Sequence, residues 1–339
     1  MVESCQLTDY YLAMTGFFDR VQAVTEKRLT IRKAKKAAKK AQKKTFKSEL
    51  LDWLDAIVFA VVVVFLLNQF IFQMFVIPSP SMQKTLMVGD RVWVSKMAYG
   101  IELFPYGPKV FGNGEVDRDE IITFYNPEDA DRSPILSVIT KVIYMGTLGF
   151  VNLDKSEWLL VKRTAGRSGD VVTFRDGDAY IKASGTGEYV KEADFRSENG
   201  YSTAPNRTIE EKTYTAYNAM GILDGLTKEG VASNNLPSSL VSDYQGLDRN
   251  AFFTDYYGYN QAGYLGERMA DPSDAEARSN WMKYNTGVYV PEGYILPLGD
   301  NRDNSSDGRY FGPIPYKLII GRVSSIVWPL SRAGSVNGK

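Results

Sequence analysis

Hydrophobic residues follow two unlike patterns along this chain. From Ala56 to Val76 runs a block of 21 residues without a formal charge, with Asn68, Gln69 and Gln73 as its polar members. In helical form, at about 1.5 Å per residue, such a block is roughly 30 Å long, the thickness of a bilayer's hydrocarbon core. After it the apolar residues come in short runs bounded by Gly, Asp, Asn and Pro, the pattern of β-strands. Strands are predicted over Arg91–Met97, Ile121–Tyr125, Trp158–Lys162, Val171–Phe174, Val288–Leu298 and Ile319–Trp328. Asp176-Gly177 has the composition of a tight hairpin turn returning through Tyr180 and Ile181. The expected fold is mainly β, anchored by one N-terminal transmembrane helix.

Two stretches break the strand pattern. Ile135–Phe150 is apolar but short, and it contains Lys141 and Gly146, so it is expected to lie at an interface rather than to span. The polar region 184–285, rich in Tyr, Gly and Asn, is expected to form an inserted subdomain or long loops. The predicted organisation is a basic N-terminal segment over 1–55, a transmembrane helix over 56–76, and an extracytoplasmic domain over 77–339 that contains the insert.

Overall charge is uninformative, since Lys+Arg and Asp+Glu both number 40. Its placement is informative. Eleven basic residues and no acidic one lie between Lys27 and Lys47, immediately before the apolar block. A nucleic-acid-binding tail has the same composition. Next to a bilayer-length block, the positive-inside rule reads the cluster instead as a cytoplasmic flank, which puts everything after Ile77 on the outer side. Cys5 is the only cysteine, so no intramolecular disulfide is available.

The chain has no histidine. Ser-His-Asp and Cys-His catalysis are therefore excluded, as are histidine-ligated zinc sites. A serine nucleophile would need another base, and lysine is the main remaining candidate. Three places carry suitable residues. Ile77-Pro78-Ser79-Pro80-Ser81-Met82 sets two hydroxyls at the mouth of the apolar block. Lys162-Arg163 ends the apolar run Trp158–Val161, where burial would disfavour the ammonium form of Lys162 and free its amine to act as a base. The run Gly299–Gly312, GDNRDNSSDGRYFG, packs Asp, Asn, Ser and Arg directly after a strand. It does not meet the spacing of a calcium loop. Asp307 and Arg309 are placed to pair and pin it. Ser81-Met82-Gln83-Lys84 matches the Ser-x-x-Lys pattern of penicillin-binding proteins, but the companion Ser-Asp-Asn and Lys-Thr-Gly strings do not occur.

Taken together, these strings resemble bacterial type I signal peptidase, a serine protease family that works with a Ser/Lys dyad. The likeness rests on residues 77–82 with Thr85-Leu86, Gly89-Asp90 and Ala98-Tyr99-Gly100, on Lys162-Arg163 with Gly169-Asp170, and on 299–312, in that order along the chain. It implies a signal-peptidase-like β-sheet catalytic domain over 77–339. It implies Ser81 as nucleophile, Lys162 as general base, and the Ser79 hydroxyl beside the Ser81 N–H as oxyanion donors. Ser305 would orient the Lys162 amine, with Asp307, Arg309 and Arg163 in support. No metal or cofactor is implied. The substrates would be secretory preproteins, cut at the outer face of the bacterial cytoplasmic membrane. The partners would be the lipid bilayer and the nearby secretion translocon, and no nucleic acid. Gly166-Arg167-Ser168-Gly169-Asp170 departs from the family's usual Gly-Leu-Pro-Gly-Asp, and Pro80 stands where glycine or another residue is frequent. A self-cleaving repressor would share the chemistry, but an apolar anchor occupies the place of its DNA-binding domain. A catalytically dead anchored β-domain is the non-enzyme alternative.

Overall fold

The structure is a computed structural model describing residues 25–35, 46–102, 109–112, 115–129, 159–201, 205, 210–245 and 256–336. The chain divides into two units, Met1–Val62 and Val63–Lys339. The regions 1–24 and 130–158, which include Cys5, Ile135–Phe150 and Trp158, lie outside the described residues.

In the first unit, residues 25–35 form an exposed helix rich in Lys and Arg, both good helix formers. The helix Phe46–Phe70 begins in this unit and ends in the second. Its segment Glu49–Phe70, with a mean hydropathy of 2.5, is the one helix among the described residues long and apolar enough to cross a membrane. Trp53, Ile57, Val58 and Phe59 are all exposed on it, and a helix that presents apolar side chains around its circumference needs an apolar surround.

In the second unit, the last turn of that helix changes character. Asn68 and Gln69 are buried; Asn68 Nδ2 donates to Val64 O at 3.0 Å and Gln69 Nε2 to Glu102 O at 3.1 Å. The chain then enters a strand. The apolar block 56–76 is thus two elements, a helix to Phe70 and a strand from Phe72. The strand forms because its backbone pairs with Arg91–Ser95 along its whole length, from Phe72 opposite Ser95 to Val76 opposite Arg91. Phe72 stacks on Trp93 with ring centroids 4.0 Å apart.

The strands, in chain order, are β1 (Phe72–Val76), β2 (Arg91–Ser95), β3 (Ile101–Glu102), β4 (Lys109–Val110), β5 (Ile121–Tyr125), β6 (Leu159–Gly166), β7 (Val171–Arg175), β8 (Asp178–Lys182), β9 (Val190–Lys191), β10 (Val288–Tyr289), β11 (Tyr294–Leu298), β12 (Ile314–Pro315), β13 (Ile319–Trp328) and β14 (Gly334–Ser335). An eight-stranded sheet runs β1-β2-β13-β5-β6-β11-β12, with β14 on β13, and a smaller sheet runs β10-β7-β8-β9. The pairs within both are antiparallel. Every residue of β5 is buried, as expected of a central strand covered on both faces. The mainly β character expected of this domain is what the structure shows.

Three differences matter for the site. Strand β6 continues past Lys162 to Gly166, so Lys162 lies inside the strand and not at its end. The single predicted strand Val288–Leu298 is two, because Pro291-Glu292-Gly293 interrupts it; β10 joins the small sheet and β11 the large one. The region 184–285 contains helices: Glu192–Glu198, Glu211–Lys228, Ser238–Gln245, Tyr256–Ala270 and Ala275–Thr286. Its glycines serve helix packing. A Cβ on Gly225 would lie 2.1 Å from Gly263 O, and one on Gly266 would lie 2.2 Å from Ile222 O, so two helix backbones approach as closely as side-chain-free surfaces allow. The Asp176-Gly177 hairpin is formed as expected, with both residues at positive φ (49° and 74°).

Candidate active site

The turn that carries Ser81 begins with proline. Pro80 opens the 3-10 turn Pro80–Met82, a position its fixed φ suits. Met82 anchors the turn in the core beside Phe75, Ile77 and Leu86. The turn is also tied to the loop after β11: Asn301 N donates to Ser81 O at 3.0 Å and Asn301 Nδ2 to Pro80 O at 3.1 Å.

Strand register brings the second residue in. On β6, Lys162 lies opposite Ile122 of β5, and Arg163 lies between Ile121 of β5 and Leu298 of β11. Leu298 is the last residue of β11, so the loop Gly299–Gly312 starts beside this pair. Lys162 Nζ lies 2.6 Å from Ser81 Oγ, in a hydrogen bond between buried side chains 7% and 3% exposed for Ser81 and Lys162. Ser79 Oγ donates to Ser81 Oγ at 3.3 Å. A cavity of about 20 Å³ lies against these groups, lined by Ile77, Pro78, Leu159 and Val161 among others. That is room for a group about the size of one water or methyl.

Successive residues on a strand leave on opposite faces, and Arg163 turns away from Lys162. Its Nε and Nη2 donate to the two carboxylate oxygens of Asp300 at 2.8 and 2.7 Å, and its Nη1 donates to Asp119 Oδ1 at 3.1 Å. Burial works to lower the Arg163 pKa, but the hydrogen bonds and charges of Asp300 and Asp119 outweigh it and the pKa is raised. Burial likewise pushes the Asp300 carboxyl up, and Arg163, with Thr85 donating at 2.5 Å, holds it below the usual carboxylate range. The Arg163 charge is thus met by two carboxylates.

Asp307 and Arg309 pair as expected, Arg309 Nε donating to Asp307 Oδ1 at 2.9 Å. Asp307 is fully buried and also accepts from Gly299 N at 2.9 Å. Burial raises its carboxyl pKa; Arg309, the Gly299 N–H and the charge of Lys162 pull it down, and the net direction is down. Ser305 is buried, but its hydroxyl makes no hydrogen bond among the described residues, to Lys162 or otherwise. The hydroxyl lodges where Gly299 leaves space; a Cβ there would meet Ser305 Oγ at 2.1 Å. Among the described residues no group of three or more His, Cys, Asp or Glu side chains comes together to hold a metal.

Asn301, Asp300, Thr85 and Asp119 are site-building residues whose parts the sequence does not reveal. Asp300 and Asn301 lie in the string that carries the resemblance, but their partners are 137 and 220 residues away, beyond any local pattern.

The sequence model of the family described as "Signal peptidase, peptidase S26" matches residues 50–328. The chain belongs to this family. It is a hydrolase, a serine peptidase. The peptidase is 28% identical over 287 residues to signal peptidase I of Haemophilus influenzae, covering 84% of this chain and 71% of that protein. It is 25% identical over 304 residues to signal peptidase I of Helicobacter pylori strain 26695, covering 84% and 83% respectively. A solved signal peptidase I from Enterococcus faecalis shares 17% identity with it, covering 62% of this chain and 97% of that one, with a TM-score of 0.24.

Proposed function

We propose that this peptidase cleaves N-terminal signal peptides from exported preproteins with a Ser81–Lys162 dyad. One observation carries the reading: in a peptidase without histidine, a buried lysine amine lies 2.6 Å from a buried serine hydroxyl. That spacing is within reach for direct proton transfer. Family membership and the named relatives support the substrate class.

The steps follow from the positions. The neutral Lys162 amine takes the Ser81 proton as Oγ attacks the scissile carbonyl. The developing oxyanion is held by preorganised donors, with the Ser79 hydroxyl beside Ser81 as one of them. The ammonium of Lys162 then protonates the leaving amine, and the regenerated amine activates the water that releases the acyl group. Asp307, close enough to act on Lys162 electrostatically, steadies the ammonium between these steps. The small cavity beside Ser81 favours small side chains before the cut. The helix Glu49–Phe70 would cross the cytoplasmic membrane, with residues 1–48 inside and the catalytic unit outside.

The test uses the full-length protein in detergent with a purified preprotein. Wild type is expected to release the signal peptide. Ser81→Ala and Lys162→Ala are each expected to lose several orders of magnitude in kcat, since members of one catalytic unit fail together. Retained turnover in either variant would refute the dyad.

A further inference from the structure

We infer that the helical insert is a working part of the site: Glu192 and Tyr214 are positioning residues that hold the loop Gly299–Gly312 against Ser81 and Lys162. The inference rests on the dyad reading above.

The loop reaches the nucleophile through Asn301, whose N–H donates to Ser81 O. The next three residues form the 3-10 turn Arg302–Asn304, which delivers Ser305. The insert fixes this turn at two successive residues. Arg302 is 3% exposed, and its two terminal nitrogens donate to the two carboxylate oxygens of Glu192, the first residue of the helix Glu192–Glu198. The same guanidinium donates through Nε to Gly299 O at 2.9 Å, and the Arg302 carbonyl accepts from Arg309 Nη2 at 2.7 Å. One residue on, the Asp303 carboxylate accepts from Tyr214 Oη. Tyr214 is itself held: its ring and hydroxyl lie over the β7–β8 turn, where a Cβ on Gly177 would come within 2.6 Å of them.

A second line runs to the other face of β6. Arg196, on the helix that begins with Glu192, pairs with Asp119 at 2.5 Å. Asp119 is shared with Arg163, and Arg163 holds Asp300. The insert therefore grips the catalytic loop at 302 and 303, and it braces the strand that carries Lys162.

Surface decoration would not look like this. Glu192 and Tyr214 are buried and spend their polar atoms on the loop rather than on solvent. Without Glu192, Arg302 would be a buried charge missing its bidentate partner; it would turn outward or draw in water, and its hold on Gly299 O would go with it. A loop displaced by about 1 Å misaligns reacting groups, which can cost about 10²-fold in rate.

The experiment compares Glu192→Ala, Glu192→Gln and Tyr214→Phe in the full-length protein in detergent, on a preprotein, with Lys162→Ala in parallel. Melting temperature and circular dichroism identify the folded variants. Glu192→Ala is expected to lose roughly ten- to a hundredfold in kcat with KM within about twofold, and to move the acidic limb of the pH–rate profile by about half a unit or more. Glu192→Gln keeps one acceptor for Arg302 and is expected to recover most of that loss. Tyr214→Phe removes a single hydroxyl and is expected to lose about three- to tenfold; it decides the matter if Glu192→Ala does not fold. Lower melting temperatures with kcat and the pH limb unchanged would overturn the inference and make the insert a stabilising element only. An active Lys162→Ala would overturn the dyad reading and this inference with it. An inactive Lys162→Ala beside unaffected insert variants would overturn the inference alone.

Discussion

Two cations stand side by side on β6. Lys162 and Arg163 are equally buried, each 3% exposed, and they leave the strand on opposite faces. On one face a guanidinium is clamped between Asp300 and Asp119, with two hydrogen bonds to the first and one to the second's carboxylate. On the other an amine meets a serine hydroxyl. Both sites remove water from a positive charge. An arginine stays charged at any working pH, so it belongs where the charge is fixed by carboxylates. A lysine gives up its proton more readily when buried, so it suits a face where a proton is proposed to move. Their chemical difference, more than their burial, separates the clamped face of this strand from the face proposed as reactive.

Exchanging each cation for an apolar residue separates the faces. Lys162→Met is expected to lower turnover by about 10⁴-fold or more while changing the melting temperature little, because an apolar side chain of similar length fills the same space. Arg163→Met is expected to do the reverse in emphasis. It leaves Asp300 buried without its fork, at a cost of about 3–5 kcal/mol. In a domain of this size that is a melting temperature lower by roughly 6 to 20 °C. If Arg163→Met melts normally, the clamp is not what holds β6 to the loop.

Smaller in effect, Ser79→Ala sharpens the reactive face. It is expected to lose about 10²–10³-fold in kcat with KM little changed, as for other single oxyanion donors. A change confined to KM would assign Ser79 to substrate binding.

How much of this is legible in the sequence depends on distance along the chain. Ser81 and Lys162 each stand in a short string whose residue types state their chemistry, and the structure brings them together. The sheet is legible because short apolar runs bounded by Gly, Asp, Asn and Pro mark its strands. The helix-to-strand change near Ile71 is not, since Phe70, Ile71, Phe72 and Phe75 are apolar in either element. The helices of the insert escape a reading by composition because Gly221, Gly225, Gly263 and Gly266 look like loop residues and act as helix contacts. The Glu192–Arg302 pair spans 110 residues, and no local period records it. Ser305 is legible as a member of the loop, but which way its hydroxyl turns depends on the space beside Gly299.

The smallest predicted effect is in acid. Asp300 and Asp307 both titrate below the usual carboxylate range when folded. A carboxyl depressed by folding contributes stability that is fully present above its unfolded pKa, near 4, and is lost as pH falls through the folded value. Denaturant unfolding followed from pH 5 to pH 2 is therefore expected to show stability falling only below about pH 4. In Arg163→Met the Asp300 carboxyl loses its main counter-charge and burial pushes it up, so its share of the acid loss is expected to shrink or reverse. An acid loss of undiminished size in that variant would place the acid sensitivity at Asp307 and Arg309.

The last turn of the apolar helix gives the molecule a further property. Ten residues, 71–80, separate Phe70 from Ser81, and they are held at successive points: Ile71 N to Leu67 O at 2.9 Å, β1 along all of β2, and Ile77 N to Asp90 O at 2.9 Å. Within the second unit, the helix end from Val63 and the turn that carries Ser81 are therefore joined without a slack linker. A pull on that last stretch of helix reaches the serine as tension along a braced sheet edge, and Ser81 moves with the edge or not at all.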